Sequence, residues 1–294
     1  MSSNRQREND PIAPYRRRLL GLAYRMLGSR SDAEDVVQDA YLRFIGTENV
    51  RNPEAFLVTV VTRLCLDRLK SARAQREIYV GPWLPEPVFD TDGLSTEVAT
   101  ELADDLSFAL LLALDRLSPQ ERAAFLLHDV FDISFSEIAA MIGRSEPACR
   151  QLAARARRAV RDERPPQAAA DSHAHLLQAF LVAVTSGDLS RLTGLLRDDA
   201  VAVTDGGGRK TAALNPIYGA DKIARFFISV AGKAAGRDIR IEAAVINGSA
   251  GALLYMDGEL DHSLSISIDG ERIAAIYLVR NPDKLRHAPG QPRS

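Results

Sequence analysis

Only two cysteines, one tryptophan and four methionines occur in the 294 residues, and each scarcity excludes something. Cys65 and Cys149 stand singly inside apolar-periodic stretches, without a second ligand at metal-binding spacing. Neither a disulfide framework nor a metal site is encoded, and the expectation is two buried thiols in a reducing compartment. No run reaches the roughly 18 apolar residues of a membrane span. The opening MSSNRQREND lacks the apolar core of a signal peptide, so the expected location is cytoplasmic. A phosphate loop is missing too. TDGGGR (204–209) offers three glycines next to Lys210 and Thr211, but Arg209 stands where a Walker-type loop needs a glycine, and the chain runs on through AALNPIYG instead of opening a helix. The glycines fit better as a loop leaving a strand, where absent side chains let another surface approach closely and Asp205, Arg209 and Lys210 make polar contacts; a plain surface turn is the other reading.

What is present is enough apolar residue, 46%, for two modest globular domains. The net charge of −2 hides a strong asymmetry. Six Arg/Lys face two acids between Arg51 and Arg76, and seven Arg face three acids between Arg144 and Arg164. Residues 77–137 between them carry thirteen acids against Arg116 and Arg122. Two basic islands therefore flank an acidic stretch.

Helical periodicity dominates the first 164 residues. SDAEDVVQDAYLRFI reads as a helix opened by a Ser31/Glu34 capping box, with Val36, Val37, Ala40, Tyr41 and Phe44 on one face. NPEAFLVTVVTRLCLDRLKSARAQ starts at Asn52 and Pro53 and places Phe56, Leu57, Val60, Val61 and Leu64 inward; Thr59, Thr62, Arg63, Lys70 and Arg73 fall on the opposite, basic side. Residues 77–100 hold three prolines around Trp83 and read as an ordered or semi-rigid linker. Two further capping boxes, Ser118/Glu121 and Ser134/Glu137, open short helices, the second ending at Gly143, and Ser145 caps another. In that last helix Cys149, Leu152, Ala153, Ala156 and Val160 converge on one face. Arg144, Gln151, Arg155 and Arg158 lie on the opposite face, with Arg150, Arg157 and Arg161 on a flank. An arginine-rich face is also what ordinary solvation looks like; the capped helix and turn glycine before it favour a helix-turn-helix that presents Arg and Gln to a major groove.

After Pro165-Pro166 the character changes. Helical stretches at Ala174–Val184 and Leu189–Leu196 precede the strand-like runs IRIEAAVI, GALLYM, SLSISI and RIAAIYLV, punctuated by Asn247-Gly248, Asp257-Gly258 and Asp269-Gly270. The pattern predicts an α+β domain with an antiparallel sheet. Asp205, Tyr255, Asp257, His262 and Tyr277 are its candidates for acid–base chemistry, and no spacing among them by itself signifies catalysis.

DAEDVVQDAYLRF and LSPQERAAFLL…FSEIAAMIGRSEPACRQLAARARRAV resemble regions 2 and 4 of the extracytoplasmic-function sigma factors, in that order, over residues 12–162. PWLPEP, DGGGRK and VRNPDKL look like the subgroup with a C-terminal SnoaL-like cone, the sigma factor J type. The implied layout is a region 2 domain over 1–76, a linker over 77–100, a region 4 domain over 101–164 and a SnoaL-like regulatory domain over 165–294. The resemblance implies that Asp35, Gln38 and Asp39 dock on core RNA polymerase, where acids suit a basic partner, although ordinary solvation also accounts for them. It implies that Asn52, Thr59, Thr62, Arg63, Lys70 and Arg73 approach the promoter −10 element, and that Arg144, Ser145, Arg150, Gln151, Arg155 and Arg158 bind the −35 element. It also implies a built-in regulator acting through Trp83, Asp205, Gly206, Gly207, Gly208, Arg209, Asn281, Pro282, Asp283, Lys284 and Leu285. No enzyme activity, cofactor, metal, membrane or separate anti-sigma factor is implied. The competing expectation is a DNA-binding regulator fused to a ligand-sensing or vestigial enzymatic cone.

Overall fold

A computed structural model describes residues 12–89, 106–163 and 170–289, without the side chains of 72–77, 162, 163, 170 and 171. The second half of the 77–100 linker, Arg73's side chain, the proline pair at 165–166 and the last five residues lie outside that description. The chain divides into two compact units: Met1–Glu77 with Ala113–Asp162, and Ile78–Leu112 with Glu163–Ser294.

The first unit is helical. Its elements are α1 (Ala13–Leu27), α2 (Arg30–Ile45) and α3 (Pro53–Glu77), then, after α4 (Phe108–Arg116), α5 (Pro119–Phe125), a π-helical turn (Leu126–Val130), α6 (Phe135–Ile142) and α7 (Glu146–Glu163). Both expected capping boxes on α5 and α6 form, and Gly143 ends α6 in the left-handed region at φ 66°. Helix α2 begins earlier than its capping box implied. Ser29, whose side chain accepts the Asp32 N–H, is its cap, and Glu34 pairs with Arg30 at 3.0 Å.

Helix α3 is covered by α1 and α2 and also by α5 and α6, and this shifts its buried stripe. Val58, Thr62, Cys65 and Leu69 are buried along with Leu57 and Val61, so Thr62, expected on the exposed basic side, lies inside. The spacing i, i+4, i+7, i+11 makes one continuous face. A threonine counted as polar fits it because its methyl packs, although its Oγ1 has no partner. Arg122, 4% exposed, crosses the unit: it donates to the Met26 carbonyl at 2.5 Å and to Asp115 at 3.0 Å. Burial pushes the thiols of both Cys65 and Cys149 up, as expected of structural cysteines.

The second unit carries α8 (Ala170–Ser186), α9 (Leu189–Leu195), β1 (Leu196–Asp205), β2 (Ile217–Tyr218), α10 (Ala220–Lys233), β3 (Ile239–Ile246), β4 (Ser249–Met256), β5 (Glu259–Asp269) and β6 (Arg272–Val279). The sheet order is β2-β1-β6-β5-β4-β3. All neighbours are antiparallel except β1 and β6, which run parallel with Asp205 opposite Val279; the sheet is mixed where a purely antiparallel one was expected. The three dipeptides do make hairpins. Asn247-Gly248 and Asp257-Gly258 have positive φ at both positions, a type I′ pattern, whereas only Gly270 is positive in the third, so its loop is Gly270-Glu271.

One face of the sheet packs Leu264, Ile266 and Ile276 against Phe180, Ile223 and Phe227 of the helices. The other face is covered by chain from outside the α+β segment: Leu84, Phe89 and Phe108 pack with Leu253, Tyr255, Tyr277 and Leu285. The described part of the linker is therefore not a spacer. Leu84 through Phe89 is buried, with Phe89 bridging to Ile246 and Val88 exchanging hydrogen bonds with Asn247. Pro82, Pro85 and Pro87 have no N–H, so an extended segment lies on the sheet with few donors left to satisfy.

Candidate functional site

Helix α7 starts after Ser145, whose Oγ accepts the Ala148 N–H at 3.4 Å. Cys149, Leu152, Ala153, Ala156 and Val160 are buried as expected, which turns Gln151, Arg155 and Arg158 outward on one exposed face, with Arg144 and Arg150 exposed towards its start. Each of the nearby arginines rests on a neighbour. Arg155 pairs with Glu121 at 2.9 Å and Arg157 with Asp129 at 2.6 Å, while Arg144 donates to Gln120 at 3.2 Å. Arg150 pairs with Glu146 at 2.5 Å and lies 4.9 Å above the Phe135 ring. Glu121 is held below the usual carboxylate range, first by the Ser118 hydroxyl and also by Arg155. Exposed pairs of this kind contribute about 0–1 kcal/mol, so a phosphate can displace the acids at little cost.

Asp35, Gln38 and Asp39 are all exposed at i, i+3 and i+4 on α2, with Arg68 reaching Asp35 at 3.2 Å. The α3 residues diverge. Asn52 caps the helix by accepting the Ala55 N–H, Thr59 donates back to the Ala55 carbonyl, Lys70 pairs with Asp67, and Thr62 is buried. Arg63 donates to the carbonyls of Ala140 and Met141 at 3.2 and 3.1 Å. It thereby satisfies the C-terminal end of α6, the helix that precedes α7, where cations are favoured.

The linker, DGGGRK and NPDKL motifs converge on one buried carboxylate in the second unit. Asp205, 0% exposed, accepts from Tyr79 Oη at 2.7 Å, the Leu84 N–H at 2.9 Å and Lys284 Nζ at 2.7 Å. Lys284 also donates to the Leu84 carbonyl and lies 4.4 Å from the Trp83 ring centre and 4.9 Å from that of Tyr79. The Asp205 carbonyl accepts from the N–H groups of Arg280 and Asn281, and the Asn281 amide donates to Tyr79 Oη. Asn281 further accepts the Asp283 N–H and so opens the turn that begins at Pro282, behind which Leu285 is buried. Arg209 reaches Asp283 at 3.2 Å from an exposed position. The glycines are steric necessities here. A Cβ on Gly206 would collide with the Lys210 carbonyl, and one on Gly207, at φ 57°, with the Asn281 amide; Gly208, at φ 70°, backs onto Val80.

Tyr79 is the member that sequence reasoning missed, although it stands four residues before Trp83. Burial, then donation to Asp205, raises its phenol above the ordinary value. A neighbouring network was missed as well. Asp261 accepts from Lys210 at 3.1 Å, Arg280 at 2.9 Å and His262 Nδ1 at 2.8 Å. Burial pushes its carboxyl up, but the His262 and Arg280 hydrogen bonds outweigh that and hold it well below the carboxylate range. Of the five acid–base candidates, Asp205 and His262 are spent on these networks, Asp257 pairs with Arg237, and Tyr255 donates to the Pro289 carbonyl. Tyr277 lines a cavity between α8 and strands β3, β4 and β5, and the other four do not.

The two helical segments define the class: the Sigma-70 region 2 family model matches residues 12–75 and the Sigma-70, region 4 model matches residues 107–160. The sequence is 38% identical over 290 residues to the ECF RNA polymerase sigma factor SigJ of Mycobacterium tuberculosis, covering 93% of this chain and 92% of that protein. It is 30% identical over 291 residues to the probable ECF RNA polymerase sigma factor SigI of the same organism, covering 95% and 96%. The crystal structure of the M. tuberculosis SigJ matches with a TM-score of 0.77 at 35% identity, over 93% of this chain and 96% of that one. The chain belongs to the ECF RNA polymerase sigma factors. The match to SigJ runs through the C-terminal α+β segment, whose fold is consistent with the SnoaL-like cone. Among the described residues no helix is long and apolar enough to cross a membrane, and no cluster of three or more His, Cys, Asp or Glu could hold a metal.

Proposed function

We propose that this chain is a non-enzymatic, cytoplasmic initiation factor that docks on core RNA polymerase through Asp35, Gln38 and Asp39. In this reading it binds the −35 element with α7 and the −10 element with the exposed side of α3, and its C-terminal unit regulates it without a separate anti-sigma factor. The observation that carries the reading is the outward row of Gln151, Arg155 and Arg158 on a helix whose opposite face is wholly buried. Gln and Arg read base edges while neighbouring arginines hold phosphates.

The Arg63 contacts add a condition. An arginine held by the end of α6 gives up those hydrogen bonds when it reaches DNA, so promoter binding by Arg63 competes with its contacts to α6. The domain layout assigned from the sequence is kept in this proposal for regions 2 and 4. Residues 78–89 are reassigned from an ordered or semi-rigid linker to a strap over the C-terminal sheet.

Run-off transcription with purified core polymerase tests the reading. The full chain, or its Lys284→Met variant with the strap loosened, is expected to give a promoter-dependent product. Arg155→Ala with Arg158→Ala is expected to weaken promoter binding at least tenfold and to lower the salt slope by about one for each phosphate that is no longer neutralised. Absence of product from both the full chain and the Lys284→Met variant overturns the proposal.

A further inference from the structure

The sheet of the second unit ends differently on its two sides. One edge is β2, only two residues long. The other is β3, eight residues paired to β4 without a register shift from Ile239 opposite Met256 to Ile246 opposite Ser249. Folded proteins blunt a long edge with proline, lysine, a bulge or a covering segment, because its unpaired N–H and C=O groups are a template for another strand. Residues 239–246 contain no proline, no lysine and no bulge. Among the described residues a cover reaches only their end, where Val88 and Phe89 meet Asn247 and Ile246.

The hairpin fixes which backbone groups face outward. Asn247-Gly248 is a two-residue loop, so Ile246 and Ser249 exchange both backbone hydrogen bonds, and so do Ala244, Glu242 and Arg240 with their partners on β4. Ile239, Ile241 and Ala243 therefore turn their N–H and C=O groups away from β4. All three residues are exposed, and these groups have no partner among the described residues. Their side chains share one face of the strand, while Arg240 and Glu242, which pair with each other, share the opposite face.

Such an edge can meet a second copy of itself antiparallel in several registers, and the charges separate them. A two-fold axis at Arg240 or at Glu242 sets that residue against its own copy, like charge against like. An axis at Ile241 sets Arg240 of each copy against Glu242 of the other, in a non-hydrogen-bonded pair where side chains come closest. Ile241 then lies opposite Ile241, and Ile239 opposite Ala243.

We propose that β3 is a self-complementary edge through which two copies of this chain associate, joining their sheets into one with the two-fold axis at Ile241. Ile239, Ile241 and Ala243 supply the backbone hydrogen bonds, and the reciprocal Arg240–Glu242 pairs fix the register. The association does not depend on the transcriptional reading and is measured without polymerase or DNA.

A contact of about five residues a side lies at the small end of specific interfaces, so the dimer is expected to be weak, with a Kd of roughly 100 µM. Sedimentation equilibrium of the full chain from about 10 to about 400 µM reads it. Arg240→Glu and Glu242→Arg each turn both reciprocal pairs repulsive and should each weaken association at least tenfold. An equimolar mixture of the two variants restores both attractions and should associate as the parent chain does. Ile241→Pro removes an N–H that β4 does not use, and should give a monomer with unchanged circular dichroism. A monomeric parent chain throughout that range, parent-like association of either charge variant alone, or a mixture no tighter than its components overturns the proposal.

Discussion

Replacing Asp205 by Asn removes one charge from the point where three sequence motifs meet. The carboxylate is fully buried and the Lys284 side chain is only 12% exposed, so the substitution leaves an ammonium inside the fold without its anion. Breaking a buried pair from one side costs roughly 3–5 kcal/mol. The low end applies because Lys284 keeps the Leu84 carbonyl and the faces of Trp83 and Tyr79, and because Asn can still accept the Leu84 N–H. The expected loss is therefore about 3 kcal/mol. With a urea dependence of about 2 kcal/mol per molar, the midpoint falls by about 1.5 M. Trp83 is the chain's one tryptophan and sits on the clamp, so its fluorescence reports the transition of this unit. Lys284→Met should cost a similar amount, and the double variant should fall short of the sum by at least about 1 kcal/mol because the residues share one interaction. A midpoint shift below about 0.3 M for Asp205→Asn, or strict additivity in the double variant, refutes the reasoning.

Two further predictions concern the same clamp. Gly207→Ala is expected to cost about 2–4 kcal/mol by urea unfolding, since it strains a left-handed backbone and displaces Asn281; Gly270→Ala, at φ 62° with nothing within 4 Å of the added carbon, should cost only about 1 kcal/mol. Equal losses would show that the close approach at Gly207 has no energetic weight. For Tyr79 the folded pKa is raised above the ordinary 10.0 of a phenol, so its contribution to stability is fully present below pH 10. It is lost as the pH climbs towards the folded pKa, because the unfolded phenol ionises first. Tyr79→Phe should flatten that alkaline loss, and ultraviolet titration of the native protein should show the same number of phenols ionising near pH 10 with Tyr79 present as with it replaced.

Features with local causes were legible in the sequence. The Ser118/Glu121 and Ser134/Glu137 boxes, the Gly143 stop and the Asn247-Gly248 and Asp257-Gly258 turns each depend on residues within a few positions of one another, and each formed. At α2 two serines competed for one cap, and Ser29 took it, with Glu34 paired to Arg30. Thr62 was misplaced because a helical wheel assigns threonine to the polar side, while α3 is packed on both sides and has room for a methyl inside. The proline-rich stretch showed that it could not be helix, but not that it lies on a sheet whose last strand is nearly two hundred residues away. The parallel β1–β6 pair had no local signature, and with it Asp205, Lys284 and Tyr79 met in a way that spacing alone could not show.

The pairing of β1 with β6 also sets an order of events during synthesis. Domains fold largely as they leave the ribosome, N-terminal first. Every residue of regions 2 and 4 has been translated before β6 exists to lie beside β1 and bring Lys284 to Asp205. Each newly made molecule thus passes through an interval in which its helical regions are complete and Lys284 has not yet reached Asp205 and the Leu84 carbonyl. A ribosome that stalls or terminates ahead of Arg272 releases a chain in which that interval never ends.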